Sequence, residues 1–286
     1  MISVVIPVRN GADHLPEQLA ALAAQTYAGN WEVIVADNGS VDATRDCAWV
    51  MATRLPCLRV VDASGRVGVS HARNVGAAAA AGEVIAFCDA DDRVYPDWLD
   101  GIAVAMEDAD GVGGALDWST LNPEMITRPG VVETDGLIEL TPPFLPFASG
   151  ANCAVRASVF RALGGFDENF TDGGDDVEFF WRLQLARHQL AYAPAARIAY
   201  RERATLLGSA RQSFRWARQG PHLYLEFRSH GMPRPTVRAA ARAWLHLIVR
   251  APEYWSNRAR RRQWVLLVAA RLGRLAGSVR YGVFSP

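Results

Sequence analysis

An α/β fold is predicted by this 286-residue sequence: a mostly parallel central sheet with flanking helices, followed by a basic, mainly helical C-terminal region. Three observations carry the prediction. Short β-branched runs alternate with stretches of helical periodicity, the early strands run out into turns rich in Asp, Asn and Gly, and the charge changes sign near residue 200. Strands alternating with helices imply parallel pairing, and right-handed crossovers then bring the C-terminal ends of the strands to one rim.

The first strand is residues 2–7, followed by Val8-Arg9-Asn10-Gly11 and a helix that places Leu15, Leu19 and Leu22 on one face. The second, residues 32–36, ends in Asp37-Asn38-Gly39-Ser40-Val41-Asp42 and enters another helix. The third, residues 58–62, leads through Gly65 and Gly68 to a helix over residues 69–81 that carries Arg73. The fourth, residues 83–88, closes on Asp89, Asp91 and Asp92, with a helix opening after Pro96. Pro7 to Asn10, Asp37 and Asp89 to Asp92 are thereby predicted to converge on one crevice, where sheets of this kind bind ligands. Clustered carboxylates there suit a divalent cation carrying substrate phosphates, although Asp is also an ordinary turn and N-cap residue.

Four blocks of the first half together resemble the donor half of family 2 glycosyltransferases of the GT-A fold. They are Val-Val-Ile-Pro-Val-Arg-Asn (4–10), Asp-Asn-Gly-Ser-Val-Asp (37–42), Gly-Val-Ser-His-Ala-Arg-Asn-Val-Gly (68–76) and Ala-Gly-Glu-Val-Ile-Ala-Phe-Cys-Asp-Ala-Asp-Asp (81–92). A fifth block, from Ser149-Gly150-Ala151-Asn152 through Gly164-Gly165-Phe166-Asp167-Glu168 to Gly173-Gly174-Asp175-Asp176-Val177-Glu178, resembles the acceptor half. The resemblance covers about the first 200 residues and implies a Rossmann-like catalytic domain, with a donor half at 1–116 and an acceptor half at 117–200. Residues 201–286 form the appendage.

The resemblance also implies roles. Asp91, supported by Asp89, would hold Mg²⁺ or Mn²⁺, whose hard character matches carboxylate oxygens. Asp37 would hydrogen-bond the nucleobase, Pro7, Val8 and Asn10 would line its slot, and Arg73 would reach the ribose or diphosphate. Asp37 in an Asx turn is the competing structural account. Asp176, second of the acidic pair, would be the general base that takes the acceptor hydroxyl proton, with Asn152, Asp175 and Glu178 on the acceptor side. Attack opposite the leaving group implies inversion. Three acids at a helix start also have a purely structural use, since they favour the positive end of the backbone dipole. One departure stands out: many relatives carry a histidine about two dozen residues after the base, and here Ala199-Tyr200-Arg201 occupies that region, leaving His222 as a weak candidate for a third ligand.

The net charge of zero conceals a division. Residues 1–200 hold 13 arginines and 27 acidic residues, whereas residues 201–286 hold 17 arginines and 3, so −14 balances +14; there is no lysine. Around Trp244 to Arg250 and Trp264 to Arg271, apolar runs too short to span a bilayer sit among arginines. An in-plane helix on an anionic membrane surface fits this pattern; packing on the catalytic domain is the competing account. No nucleic-acid reading motif is present. The four cysteines lack metal spacing and read as free thiols, and with no signal peptide before the first strand a cytoplasmic chain is expected, peripheral at the inner face of the plasma membrane. The stretch from Asp117 to Pro146, bearing Pro123, Pro129, Pro142 and Pro143, is expected to be irregular and to cover the acceptor side.

The function expected is thus metal-dependent, inverting transfer of a sugar from a nucleotide-diphosphate sugar to a hydroxyl of a cell-envelope, glycolipid or polysaccharide acceptor, lipid-linked in one form. The alternatives are a non-catalytic nucleotide-sugar-binding subunit or scaffold, and a nucleotidyltransferase, for which Val8-Arg9-Asn10-Gly11 is too short a phosphate loop.

Overall fold

The computed structural model describes residues 1–55, 57–122, 134–140 and 143–285. One sheet contains β1 (Ile2–Val8), β2 (Trp31–Asp37), β3 (Arg59–Asp62), β4 (Val84–Cys88), β5 (Arg93–Val94), β6 (Gly111–Asp117), β7 (Asn152–Arg156) and β8 (Leu190–Ala199), in the order β3-β2-β1-β4-β7-β6-β8-β5. β3, β2, β1 and β4 are parallel, as the alternation of strands and helices predicts. β7 enters antiparallel between β4 and β6, and the short β5 pairs antiparallel with β8, so the complete sheet is mixed. The chain reaches β7 through the proline-bearing stretch rather than a described helix, and without a crossover helix a return in the opposite direction is the natural pairing.

Around the sheet lie α1 (Leu15–Ala23), α2 (Thr44–Met51), α3 (Val69–Ala79), α4 (Trp98–Ala105), α5 (Ala157–Ala162) and α6 (Asp175–Leu185). Strand alternation divides the core. Val4, Ile6, Val33 and Val35 meet Leu15, Leu19 and Leu22 of α1, all fully buried, whereas Val5, Ile34, Ile85 and Phe87 meet Phe160 of α5 and Phe179 of α6 on the other face. Each such side chain contributes about 1.5–3 kcal/mol by leaving water. α3 lies so close to the sheet that a Cβ on Gly76 would come within 2.4 Å of Val5 Cγ1.

The described parts of the proline-bearing stretch are pinned down. Thr134 N–H donates to Leu116 O (3.1 Å) and Leu116 N–H to Thr134 Oγ1 (2.9 Å), while Trp181 Nε1–H donates to Leu145 O (2.7 Å). Pro123, Pro129 and Pro142 lie outside the described residues.

Beyond β8 come α7 (Leu206–Arg218), α8 (Gly220–Phe227), α9 (Val237–Val249), α10 (Ala251–Tyr254) and α11 (Arg258–Arg280). The two segments singled out as membrane candidates behave differently. α11 packs along α7 at backbone contact: a Cβ on Gly273 would lie 2.1 Å from Phe214 O and one on Gly277 2.2 Å from Arg218 O. Buried Asp172 takes Arg215 (3.0 Å), Arg218 and, at 3.6 Å, Arg280, and so ties both helices to the acceptor half. α9 instead buries only Ala240 and Leu247 and leaves Val237, Leu245, Ile248 and Val249 exposed. Among the described residues no helix is long and apolar enough to cross a membrane.

Candidate active site

Parallel pairing places Val8 opposite Asp37 at the ends of β1 and β2, and the turns beyond them are cross-linked. Asn10 adopts a left-handed conformation (φ 55°), donates its N–H to Ser40 Oγ (2.9 Å) and accepts Val41 N–H on its side-chain oxygen (2.9 Å). Gly11 N–H donates to Thr44 Oγ1 (2.8 Å). Pro7 and Val8 are buried and Asn10 is exposed at the mouth. Asp37 is fully buried: one oxygen accepts Ser40 N–H (3.0 Å) in the Asx geometry and the other pairs with Arg45. Burial pushes this carboxyl up, but Ser40 and Arg45 outweigh it and hold it below the usual range. Asp37 therefore shapes the turn from beneath, and half-exposed Arg45 is the accessible member of the pair.

Beyond β4, ligand oxygens of Asp89, Asp91 and Asp92 lie within 4.8 Å of one another, and no histidine or cysteine joins them among the described residues. Gln18 of α1 fixes the turn, donating to Asp89 O (3.0 Å) and accepting Val94 N–H (3.0 Å). Asp92 is buried; its Oδ1 accepts Arg201 N–H (2.7 Å), and its Oδ2 has no partner. Burial, reinforced by the charges of Asp89 and Asp91, pushes the Asp92 carboxyl well up. Burial also raises Asp89, against the pull of Arg73. Crowded carboxylates with an orphaned buried oxygen, and oxygen donors only, fit a hard divalent cation. His222 is elsewhere, stacked between Phe170 (4.3 Å) and Tyr281 (4.7 Å), where it joins α8 to the end of α11.

Arg73 links this turn to the one that opens α6. Its guanidinium is almost wholly buried and donates to Asp89 Oδ1 (2.9 Å) and Asp175 Oδ2 (3.0 Å). Burial works against its charge, but the two carboxylates outweigh that and hold it protonated. The structure thus places Arg73 between the two acidic turns rather than out on an open ribose side. Gly150 is needed for this: a Cβ there would lie 2.7 Å from Arg73 Nη1.

The second turn runs through Gly173 (φ 100°) and Gly174 (φ 86°), backbone conformations open to glycine, into α6. Asp175 also accepts Ser70 Oγ–H (3.1 Å). Asp176 accepts Gly150 N–H on Oδ2 (3.0 Å), and burial together with the charge of Asp175 pushes its carboxyl up to about 6. Two other residues assigned to the acceptor side are not brought here. Asn152 is buried and saturated, accepting Trp98 Nε1–H (2.8 Å) and donating to Ala115 O (2.9 Å) and Ala196 O (2.8 Å), so it offers an acceptor no accessible atom. Glu178 spends both oxygens on Arg182 (2.6 and 2.8 Å), which in turn binds Leu163 O and Gly165 O; it braces α6 on the preceding loop.

Sequence reasoning missed Gln18, Gly150, Arg201 and Arg203. Gln18 left a trace, a polar residue on the buried face of α1. The others act through contacts between residues far apart in sequence, which no periodicity records.

The model of the family described as glycosyl transferase family 2 matches residues 3–164, and that of glycosyl transferase family group 2 matches residues 84–275. The glycosyltransferase AglE of Haloferax volcanii is 30% identical over 195 residues, 67% of this chain and 64% of that protein. Validoxylamine A glucosyltransferase of Streptomyces hygroscopicus subsp. jinggangensis is 31% identical over 217 residues, 64% of this chain and 51% of the relative. Among solved structures, the mannosyltransferase PcManGT of Pyrobaculum calidifontis, in complex with GDP-Man and Mn²⁺, superposes over 96% of this chain and 86% of its own with TM-score 0.67 at 19% identity. TarS 1–349 of S. aureus does so over 100% and 93% with TM-score 0.58 at 18% identity. The chain thus spans about half to two thirds of the length of these curated relatives, and the solved structures share its fold.

Proposed function

The chain belongs to glycosyl transferase family 2, and from that premise we propose that it transfers a sugar from a nucleotide-diphosphate sugar to an acceptor hydroxyl, with inversion at the anomeric carbon. The observation that carries this reading is the Arg73 bridge, which holds Asp89 of the cation-type carboxylate cluster on one side and, on the other, Asp175, the neighbour in sequence of Asp176. Asp89 and Asp91, backed by Asp92, are the residues that would hold Mg²⁺ or Mn²⁺. Such an ion, when bound, neutralises charge growing on the departing diphosphate.

Asp176 takes the acceptor proton. A carboxyl near 6 is ionised at neutral pH yet basic enough to accept a proton during attack, and Gly150 N–H holds it in place. Arg73 orients Asp89 and Asp175 and prevents the two acidic turns from repelling each other apart. Pro7, Val8 and Asn10 form the slot for the base, with Asp37 maintaining the turn that closes it. The acceptor is placed in the cell envelope, as a glycolipid or polysaccharide hydroxyl. Support for a membrane-borne acceptor comes from α9, whose exposed apolar residues stand among Arg238, Arg242 and Arg250. The catalytic region carries the opposite charge, so an anionic surface would attract the tail and repel that region, leaving the tail as the point of attachment.

A thermal-shift panel of UDP-, GDP- and dTDP-sugars, each with and without Mn²⁺, tests the donor reading, because a ligand that binds the native state raises its melting temperature. A metal-dependent shift with one nucleotide is expected. No shift with any of them, at concentrations up to about a hundred times an ordinary Kd, would remove it.

A further inference from the structure

The segment leaving β8 crosses the acidic turn and lays two arginines on it in different ways. Arg201 is built in: its N–H donates to Asp92 Oδ1 (2.7 Å), its Nε–H to Asp91 O (2.7 Å), and its remaining arm pairs with Glu17. Arg203 has one side-chain partner, Asp91 Oδ2 at 3.0 Å, and its side chain is 54% exposed. Its backbone is held: Arg262 of α11 pairs with Glu202 (2.8 Å), which removes the nearest competing acid, and Thr205 caps α7 two residues on, accepting Gly208 N–H (3.0 Å). The guanidinium therefore sits on a held backbone and touches the carboxylate cluster through Asp91.

We propose that Arg203 is an exchangeable counter-ion of the acidic turn, neutralising Asp91 in the empty crevice, giving that oxygen up to a divalent cation, and then pairing with the diphosphate of the bound nucleotide. This rests on the donor reading above. A guanidinium has five N–H donors and no lone pair, so it cannot enter a metal shell; it must move when a cation arrives. A single-point, exposed ion pair is among the weakest contacts a carboxylate makes, so the exchange is easily driven. Once displaced, the planar fork matches phosphate oxygens, and the adjacent Glu202 is already paired with Arg262.

The test compares full-length wild type with Arg203→Ala and Arg203→Lys. Calorimetry with Mn²⁺ alone should give an affinity about two- to fivefold higher for Arg203→Ala, the amount by which a weak ion pair competes. With Mn²⁺ saturating, the same variant should lose at least about fivefold in affinity for UDP or GDP, whichever the wild type binds, and nothing for the matching nucleoside, with Arg203→Lys in between. Unchanged or weaker Mn²⁺ binding by Arg203→Ala, or equal losses on nucleoside and diphosphate, overturns the exchange. If wild type binds neither diphosphate, the donor reading fails, and the Mn²⁺ comparison still decides whether Arg203 guards Asp91. Arg203 is more than half exposed, and an unchanged melting temperature checks that its replacement leaves the fold intact.

Discussion

The turn at Asp89–Asp92 and the turn that opens α6 are built from the same residue type and flank the same arginine, yet they are prepared for different work. At the first, three carboxylates crowd together, one buried oxygen lacks a partner, and Arg73, Arg201 and Arg203 converge on the cluster. At the second, glycines shape the turn and Arg73 pairs directly with Asp175, so Asp176 keeps the backbone N–H groups of Gly150 and Val177 and feels the charge of Asp175. Crowding creates a demand for a metal-type cation. Isolation creates a carboxylate whose demand is for a proton. The difference lies in the neighbours, which is why two short acidic motifs that look alike are not interchangeable.

The sharpest way to break the comparison is Asp176→Asn. If Asp176 holds a proton and the other turn holds a cation, transfer should fall by about 10²- to 10⁴-fold while nucleotide affinity stays near that of wild type. Removing a carboxylate that is costly to ionise should also raise the melting temperature at pH 8 by a few degrees, on the order of 2–4 °C per kcal/mol in a chain this size. A folded mutant with near-native turnover would move the base elsewhere, with Asp175 first in line.

Asp91→Ala addresses the other turn. Metal-dependent binding of a nucleoside diphosphate should drop by roughly 10- to 100-fold, as expected when one charged ligand of a cation is lost, while binding without metal should not fall, because losing Asp91 also frees Arg203 for the diphosphate. Asp37→Ala provides the contrast: by releasing Ser40 N–H and Arg45 it should weaken nucleoside affinity about five- to tenfold with or without metal, the lower end of the roughly 1–3 kcal/mol that an orphaned partner costs. Calorimetry in which both variants match wild type would place the crevice elsewhere.

The pH profile separates the turns by sign. If Asp176 is the base it must be ionised to act, and turnover should climb about tenfold per unit up to pH 6 and level off above it. Stability runs the opposite way. A carboxyl raised from 3.8 to about 6 holds its proton more tightly in the folded state, so the stability it contributes is complete below 3.8 and is lost as pH rises through 6. Asp176→Asn should flatten that stability slope, whereas Asp37→Ala should change stability in the opposite window, since Asp37 lies below its usual range and stabilises the fold above it.

Much of this was legible before any coordinates, and the reason is local. Leu15, Leu19 and Leu22 declare a helix face, β-branched runs declare strands, and parallel pairing then forces Val8, Asp37 and Asp89 onto one rim. What the periodicity cannot carry is the partner of each polar atom. Asn152 and Asp176 look equally functional in a motif; only packing shows that the first is saturated inside the sheet while the second keeps a lone-pair face and a raised proton affinity. The tail posed the same problem on a larger scale. Both its segments mix arginine with apolar residues, but Gly273 and Gly277 allow α11 to lie against the backbone of α7, a contact that depends on two absent side chains.

That division of the tail yields the smallest of the expected effects. Removing everything after Pro235 would strip α7 of its cover and Asp172 of Arg280, so truncation mixes membrane contact with packing. Point changes on α9 do not, because Leu245, Ile248 and Val249 are each about two-thirds exposed at 60%, 67% and 66%. Leu245 lies three residues before Ile248 and four before Val249, so the three share one face of the helix. Changing them together to Ser should leave the melting temperature within about 1 °C, since exposed positions contribute little to folding. Partitioning onto anionic vesicles at low salt should fall by roughly tenfold, reflecting apolar area that no longer leaves water. Raising the salt should weaken the wild type further, because the arginines contribute about 1 kcal/mol each near such a surface and are screened beyond about 10 Å at 0.1 M. If the wild type ignores these vesicles at low salt, α9 serves another contact, and the acceptor need not reside on a membrane.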